Sequence, residues 1–384
     1  MKTVKLYDID SHMKEFDAVI VNTSTDEKGA YAVLDQTAFF PEGGGQYADI
    51  GTLGGAAITD VQEQDGEIRH YIDGALTAGE RVHGILDWEI RFNRMQHHSG
   101  EHIVSGLVHQ KYGYENVGFH LTDSCATLDF SGELTKEQLD EIELLANRAV
   151  WANTPVSAVY PDPVTLASLN YRSKLDLTEN VRIVTFPGSD ICACCAPHVN
   201  FTGEIGCIKL VDSMRHRGGT RVTLYAGKNA LADYADKYRN VHAISALLSA
   251  KQSETAACVS RLHNEYLENK RAMNDLKKQL MEYKVSELSE TDGHLLIFEE
   301  NIDVLTMRGI ANKAVPKCGG VCIVFSGNDA EGYSYIAASS NIDLRAFEKP
   351  FNTALSGKGG GSPEMIQGKV SAARIAIEEY MQNN

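Results

Sequence analysis

A chain of 384 residues, 43% hydrophobic and 23% charged, has material for two or three cored domains and excludes wholesale disorder or a fibrous fold. Its net charge of −16 argues against a polyanion held by the field of the whole molecule; residues 1–228 carry 19 Lys/Arg against 32 Asp/Glu, and residues 293–384 carry 8 against 10. No apolar run reaches the ~18 residues a membrane span needs, the first residues lack a secretory apolar stretch, and eight Cys without a disulfide pattern suit a cytoplasmic setting.

Residues 1–91 read as short strands. Val19 to Val21, Tyr31 to Leu34, Ile58 to Val61 and His83 to Trp88 are apolar or β-branched runs separated by Gly, Asp and Asn turns, the pattern of a small β-barrel or sandwich. Asn93 to Tyr112 then reads as a helix ending near Gly113, and Lys136 to Trp151 as a second, with Leu139, Ile142, Leu145, Ala146 and Val150 at helical spacing. Strands return at Cys125 to Phe130, Val181 to Phe186, Ile208 to Val211 and Thr220 to Ala226, so residues 92–228 form an α+β core.

Residues 229–291 read as a helical arm. From Val259 a heptad places Val259, Tyr266, Met273 and Leu280 at one position and Leu262, Leu276 and Tyr283 at the other, interrupted at Asn269. Either a coiled-coil-like arm or a single long helix packed on its own domain satisfies that pattern. Residues 292–384 switch again, with strand-like Leu295 to Phe298 and Val321 to Phe325, a helical stretch around Ile310, and a Gly357 to Gly361 run before a last helix. The expected fold class is therefore α+β: N-terminal barrel, α+β core, helical arm and C-terminal α/β domain.

Three features carry chemistry. His98 and His102 stand four apart on a predicted helix, hence on one face and able to reach one Zn²⁺, although Glu101 does not occupy the zincin position. Ninety-six residues beyond His98, Cys194-Cys195-Ala196-Pro197-His198 offers a thiolate and a third imidazole on a loop; Cys192 and Cys195 form a CxxC that competes with Cys194 as thiolate, or makes a separate structural site or a redox pair. Leu34-Asp35-Gln36-Thr37 leads into Gly43-Gly44-Gly45-Gln46, where glycines admit a close approach and Gln46 offers donor and acceptor, or where a plain inter-strand turn lies. Lys358 with Gly359, Gly360 and Gly361 reads either as a phosphate-cradling loop or as a tight connection, and lacks the spacing of a nucleotide-hydrolysing P-loop. Arg215, Arg217 and Arg221 form a local basic stretch in an otherwise acidic region.

Taken together, LDQTAFFPEGGGQYADIG, HHSGEH, CCAPH, GGTRVTLYAG and GKGGGSPEMIQG resemble the editing domain of alanyl-tRNA synthetases, the AlaX proteins and the DHH-associated domain that ends the long AlaX form. The match covers nearly the whole chain in the family's order, and nothing in it resembles an aminoacylation domain. The resemblance implies that His98, His102, Cys194 and His198 are zinc ligands, that Gln46 lies near the metal, and that Thr37 helps to tell amino-acid side chains apart. It further implies a trans-editing deacylase of seryl- or glycyl-tRNA(Ala), ATP-independent, with residues 292–384 contacting tRNA and able to pair with a second copy. Arg215, Arg217, Arg221, Lys358, Gly359, Gly360 and Gly361 are the expected tRNA contacts. Cys195-Ala196-Pro197 stands where synthetases have Gly-Gly-Thr, a stiffer and bulkier loop. The rival expectation is a non-catalytic tRNA-binding or assembly protein with a structural zinc; a DHH phosphoesterase is excluded because no Asp-His-His is present.

Overall fold

The chain's first third closes a sheet on itself. In the computed structural model, which describes residues 2–173 and 180–384, Glu15–Asp26, Gly29–Leu34, Glu67–Asp73, Ala56–Gln64, Gly51–Leu53 and Arg81–Leu86 pair in that order. The last strand returns to the first, giving a closed barrel. Alternation drives it in most strands: Phe16, Ala18, Ile20, Ile58 and Val82 are buried between less buried neighbours along their strands, while Gly29–Leu34 is buried continuously from Tyr31 to Leu34. Register shifts near Ile20 and Ile58 bend the strands enough to close the ring.

The helix that follows spans Trp88–Tyr112, five residues earlier than the sequence pattern suggests. Asp87, whose carboxylate accepts from the Ile90 N–H at 3.2 Å, caps its start, so Trp88 opens the helix and does not end a strand. Gly113, at φ +70°, ends it. Met95, Ile103, Val104 and Val108 pack against a four-stranded sheet ordered Ile208–His216, Gly219–Ala226, Ala126–Phe130 and Asn116–Leu121. Lys136–Ala152, begun by a Thr135/Gln138 capping box, adds Leu139, Ile142, Ala146 and Val150 to the same core. Ser157–Val159, Ile183–Phe186 and Asp190–Ala193 make a three-stranded sheet beside the helix. Arg91 anchors the helix to the barrel: its guanidinium pairs with buried Asp49 and donates to the carbonyls of Ala38 and Ser11.

The expected continuous arm is interrupted. One helix runs Gly227–Leu248 and a second Thr255–Glu287. Between them Ser249 adopts φ +49°, and Ala250 N–H donates to Ser245 O at 3.0 Å, a Schellman-type stop without the usual glycine. The heptad residues of the second helix are not packed on its own domain, since Leu262, Tyr266, Leu276 and Tyr283 are each at least 54% exposed.

The chain divides into two compact units, 1–243 and 244–384. The second holds a five-stranded sheet ordered Leu295–Glu299, Cys322–Asn328, Gly332–Ala338, Met365–Val370 and Lys358–Gly361, parallel only between its first two strands. The glycine run is thus neither of the two connections expected of it. Lys358–Gly361 is an edge strand, paired with Met365–Val370. The molecule is α+β with several sheets, and no helix among the described residues is long and apolar enough to cross a membrane.

Candidate metal centre

The Trp88–Tyr112 helix presents His98 and His102 on one face, with ring centroids 5.3 Å apart and planes within 7°. The Asp190–Ala193 strand and the turn after it bring Cys194 and His198 to the same point. The His198 ring lies 4.9 Å from each of the other two imidazoles, and Cys194 Sγ lies 3.5 Å from His98 Nε2. One donor atom from each of the four residues falls within 4.8 Å of all the others. A tetrahedral Zn²⁺ with N and S ligands separates those atoms by about 3.5 Å.

The chemistry of the donors fits a cation. His102 Nε2 and both nitrogens of His198 are buried without a hydrogen-bond partner among the described residues, an expensive arrangement that a metal would relieve. Burial alone raises the Cys194 thiol, but the imidazoles around it, His98 foremost, outweigh it and hold the thiol well below its ordinary pKa. Burial likewise lowers His198, to about 3, so its ring is neutral and able to ligate. The cluster is therefore competent to hold a metal. Cys194 occupies it, Cys192 lies in a second grouping with His102 and Asp190, and Cys195 is exposed. Of the three thiols that spacing left open, Cys194 is the one grouped with all three imidazoles.

Each helical imidazole is held from behind. His98 Nδ1 pairs with Gln46 Oε1 at 2.9 Å, which turns His98 Nε2 toward Cys194. Gln46 reaches that position because Gly43 and Gln46 exchange two backbone hydrogen bonds of 3.0 Å across Gly44 and Gly45. Those two residues have φ +60° and +81°, the two-residue turn that favours glycine at both positions. A Cβ on Gly45 would stand 2.8 Å from the Phe119 ring. The glycines serve the hairpin and the close approach at once.

Thr37 is placed differently. It is fully buried in the barrel, its hydroxyl 2.8 Å from His70 Nε2, and it accepts from the Phe39 N–H at 3.1 Å. His70 Nδ1 donates to the Ala32 carbonyl, and burial pulls the ring down to about 4, so it is neutral and accepts the Thr37 proton. A cavity of about 230 Å³ opens beside the donors, bordered by His98, His102, Phe119, Arg172, Arg182 and Cys194, and Thr37 is not on its wall.

The expected tRNA contacts lie on other surfaces. Arg215 and Arg217 belong to the hairpin Ile208–His216/Gly219–Ala226, with Arg217 in its turn at φ +48°. Arg215 pairs with Glu133 at 2.9 Å, and Arg221 makes a bidentate pair with Asp129 at 2.6 and 2.7 Å. Two of the three charges are thus offset by carboxylates that sequence proximity did not reveal. Lys358 lies on the edge strand, beside a cavity shared with Lys369, Ser334 and Gln367.

Comparison with known proteins gives the family context. Residues 181–223, which include Cys194 and His198, match the threonyl and alanyl tRNA synthetase second additional domain. The chain is 31% identical to alanine–tRNA ligase of Pyrococcus abyssi over 99% of its own length and 43% of the relative's. It is 32% identical to that of Thermococcus kodakarensis over 98% and 43%, and to that of Halobacterium salinarum over 85% and 38%. The C-Ala domain of Aquifex aeolicus alanyl-tRNA synthetase aligns with 25% of this chain and 94% of its own at 15% identity; its TM-score of 0.22 carries no argument. The chain spans about two fifths of the length of the first two relatives. The chain is thus similar to the alanine–tRNA ligases over nearly its own whole length, and residues 181–223 are similar to the second additional domain of the threonyl and alanyl tRNA synthetases.

Proposed function

We propose that the chain is a trans-editing deacylase that hydrolyses the ester joining serine or glycine to alanine tRNA, at a zinc centre held by His98, His102, Cys194 and His198. The observation that carries this reading is the convergence of four donors with orphaned nitrogens beside an open cavity, in a homologue of alanine–tRNA ligases. The need for such an activity is physical. A pocket built for alanine cannot exclude the smaller glycine, and rejects an added hydroxyl by only about 10²-fold.

His98, His102, Cys194 and His198 would hold a Zn²⁺ ion, which when bound would supply Lewis acidity toward an ester carbonyl. The protein's share is to orient the donors and the ester while leaving the cavity open to the water that hydrolysis consumes. Gln46 fixes the His98 ring, while Phe119 against His98 and Phe186 against His102 line the donors with apolar surface that strengthens electrostatic interactions at the ester. Thr37, which the resemblance casts as a discriminator of side chains, lies off the cavity wall with its hydroxyl bonded to His70, so the proposed discrimination acts through the packing of the Thr37–Gln46 segment, and Thr37→Val should change the ratio of seryl to glycyl hydrolysis. Lys358 to Gly361 and the Arg215–Arg221 hairpin are the proposed tRNA contacts. The exposed stripe of the Thr255–Glu287 helix is the proposed seam of a homodimer.

A second reading, a tRNA-binding or assembly protein with a structural zinc, is favoured by one observation: four protein donors already fill a tetrahedral shell. Incubation with seryl-, glycyl- and alanyl-esters of alanine tRNA separates the two. Loss of the first or second ester, abolished by Cys194→Ala, supports the deacylase. Zinc bound in full without ester loss supports the binding protein.

A further inference from the structure

Asp190 is a carboxylate whose side chain is 2% exposed, a placement that costs several kcal/mol unless its charge is offset. Its Oδ2 accepts from His102 Nδ1 at 2.9 Å, while Arg172 Nε and Nη2 donate to Oδ1 and Oδ2, each at 2.8 Å. Arg172 is itself fixed: its N–H donates to Ile191 O and its carbonyl accepts from Ala193 N–H, which lays the segment parallel to the Asp190–Ala193 strand. Because the guanidinium engages both oxygens, a cation is kept away from them. Asp190 therefore stands behind the four-donor cluster and is not part of it, although one of its oxygens falls within 4.8 Å of donor atoms of His102 and Cys192.

The helix is shaped to admit this carboxylate. Gly106 lies one turn beyond His102 on the same face, and a Cβ there would stand 2.1 Å from Ser189 O and 2.7 Å from Asp190 Cβ. One turn further, Gln110 Nε2 donates to Ser189 O at 2.7 Å. Positions 98, 102, 106 and 110 thus supply two donors, a gap and an anchor along one line.

We infer that Asp190, clamped by Arg172 and admitted by Gly106, is a positioning residue of the metal centre. It holds His102 with Nδ1 protonated and Nε2 turned to the other three donors, and its charge makes that nitrogen a stronger ligand. The inference rests on the metal reading of the four donors. An Arg172–Asp190 pair that served stability alone would, on removal, lower the melting temperature and leave metal affinity untouched.

The test is zinc affinity of the full chain, stripped of metal and titrated against a chromogenic chelator, with the visible spectrum of the Co²⁺-substituted protein as second readout. Asp190→Asn and Gly106→Ala should each weaken zinc binding about 10–100-fold and shift the Co²⁺ bands. Asp129→Asn, which breaks the comparable bidentate pair with Arg221 outside the cluster, should change neither. Arg172→Lys keeps the charge without the fork and should give an intermediate loss, which carries the measurement should Asp190→Asn fail to fold. Affinity and spectrum equal to those of the unaltered chain in Asp190→Asn and Gly106→Ala would overturn the inference. Failure of the unaltered chain to take up zinc is a distinct result, which removes the metal reading and the inference with it.

Discussion

Histidine 70 makes the stability of the first unit depend on pH in a way that can be isolated. The ring is fully buried and pulled from 6.5 to about 4 by loss of solvent. As pH falls below 6.5 the unfolded chain takes up a proton that the folded chain refuses until about 4, so stability is lost across that window and levels off below it. The shift corresponds to about 3 kcal/mol. For a unit of this size that amounts to roughly 6–12 °C of melting temperature. Both tryptophans, Trp88 and Trp151, lie within 1–243, so their emission follows the melting of that unit alone. The melting temperature of the native protein should therefore fall further between pH 7 and pH 4 than that of His70→Gln, by that amount, since all other titrating groups are common to both. Equal falls in the two proteins would mean that His70 is not held neutral, and that the Thr37 hydroxyl is not donating to it.

Other outcomes follow from single contacts. Gly45→Ala meets both φ +81° and the Phe119 ring, and should cost about 1–3 kcal/mol in tryptophan-monitored melting. Leu276→Glu, at a position 65% exposed, should change melting by less than about 0.5 kcal/mol yet weaken self-association in sedimentation if copies join along that stripe. Lys358→Ala should lower the slope of log affinity for tRNA against log salt by about 1, whereas Arg215→Ala, already paired with Glu133, should lower it less. Equal slopes for Lys358→Ala and the native chain would take the edge strand out of the tRNA surface.

The features legible in the sequence were those written within one turn or one short loop. A pair of imidazoles four apart needs only helical geometry to share a face, and the Gly113 stop is local as well. The carboxylate behind His102 lies 88 residues away, and only Gly106 on the helix face hinted that something must come close. The arm looked continuous because its break uses a serine where glycine is customary. The basic stretch looked free because its neutralising partners, Glu133 and Asp129, come from segments more than eighty residues earlier in the chain. Glycine composition alone could not tell an edge strand from a loop, since both tolerate residues without side chains.

The Trp88–Tyr112 helix works as a ruler. Arg91 grips the barrel, His98 and His102 face the donors, and Gly106 and Gln110 meet the Ser189 turn, all at fixed angular intervals. Inserting one residue between Arg91 and His98 would rotate everything downstream by about 100° and carry both imidazoles off their line while leaving composition and helicity intact. Length, more than identity, is what drift along this segment cannot alter.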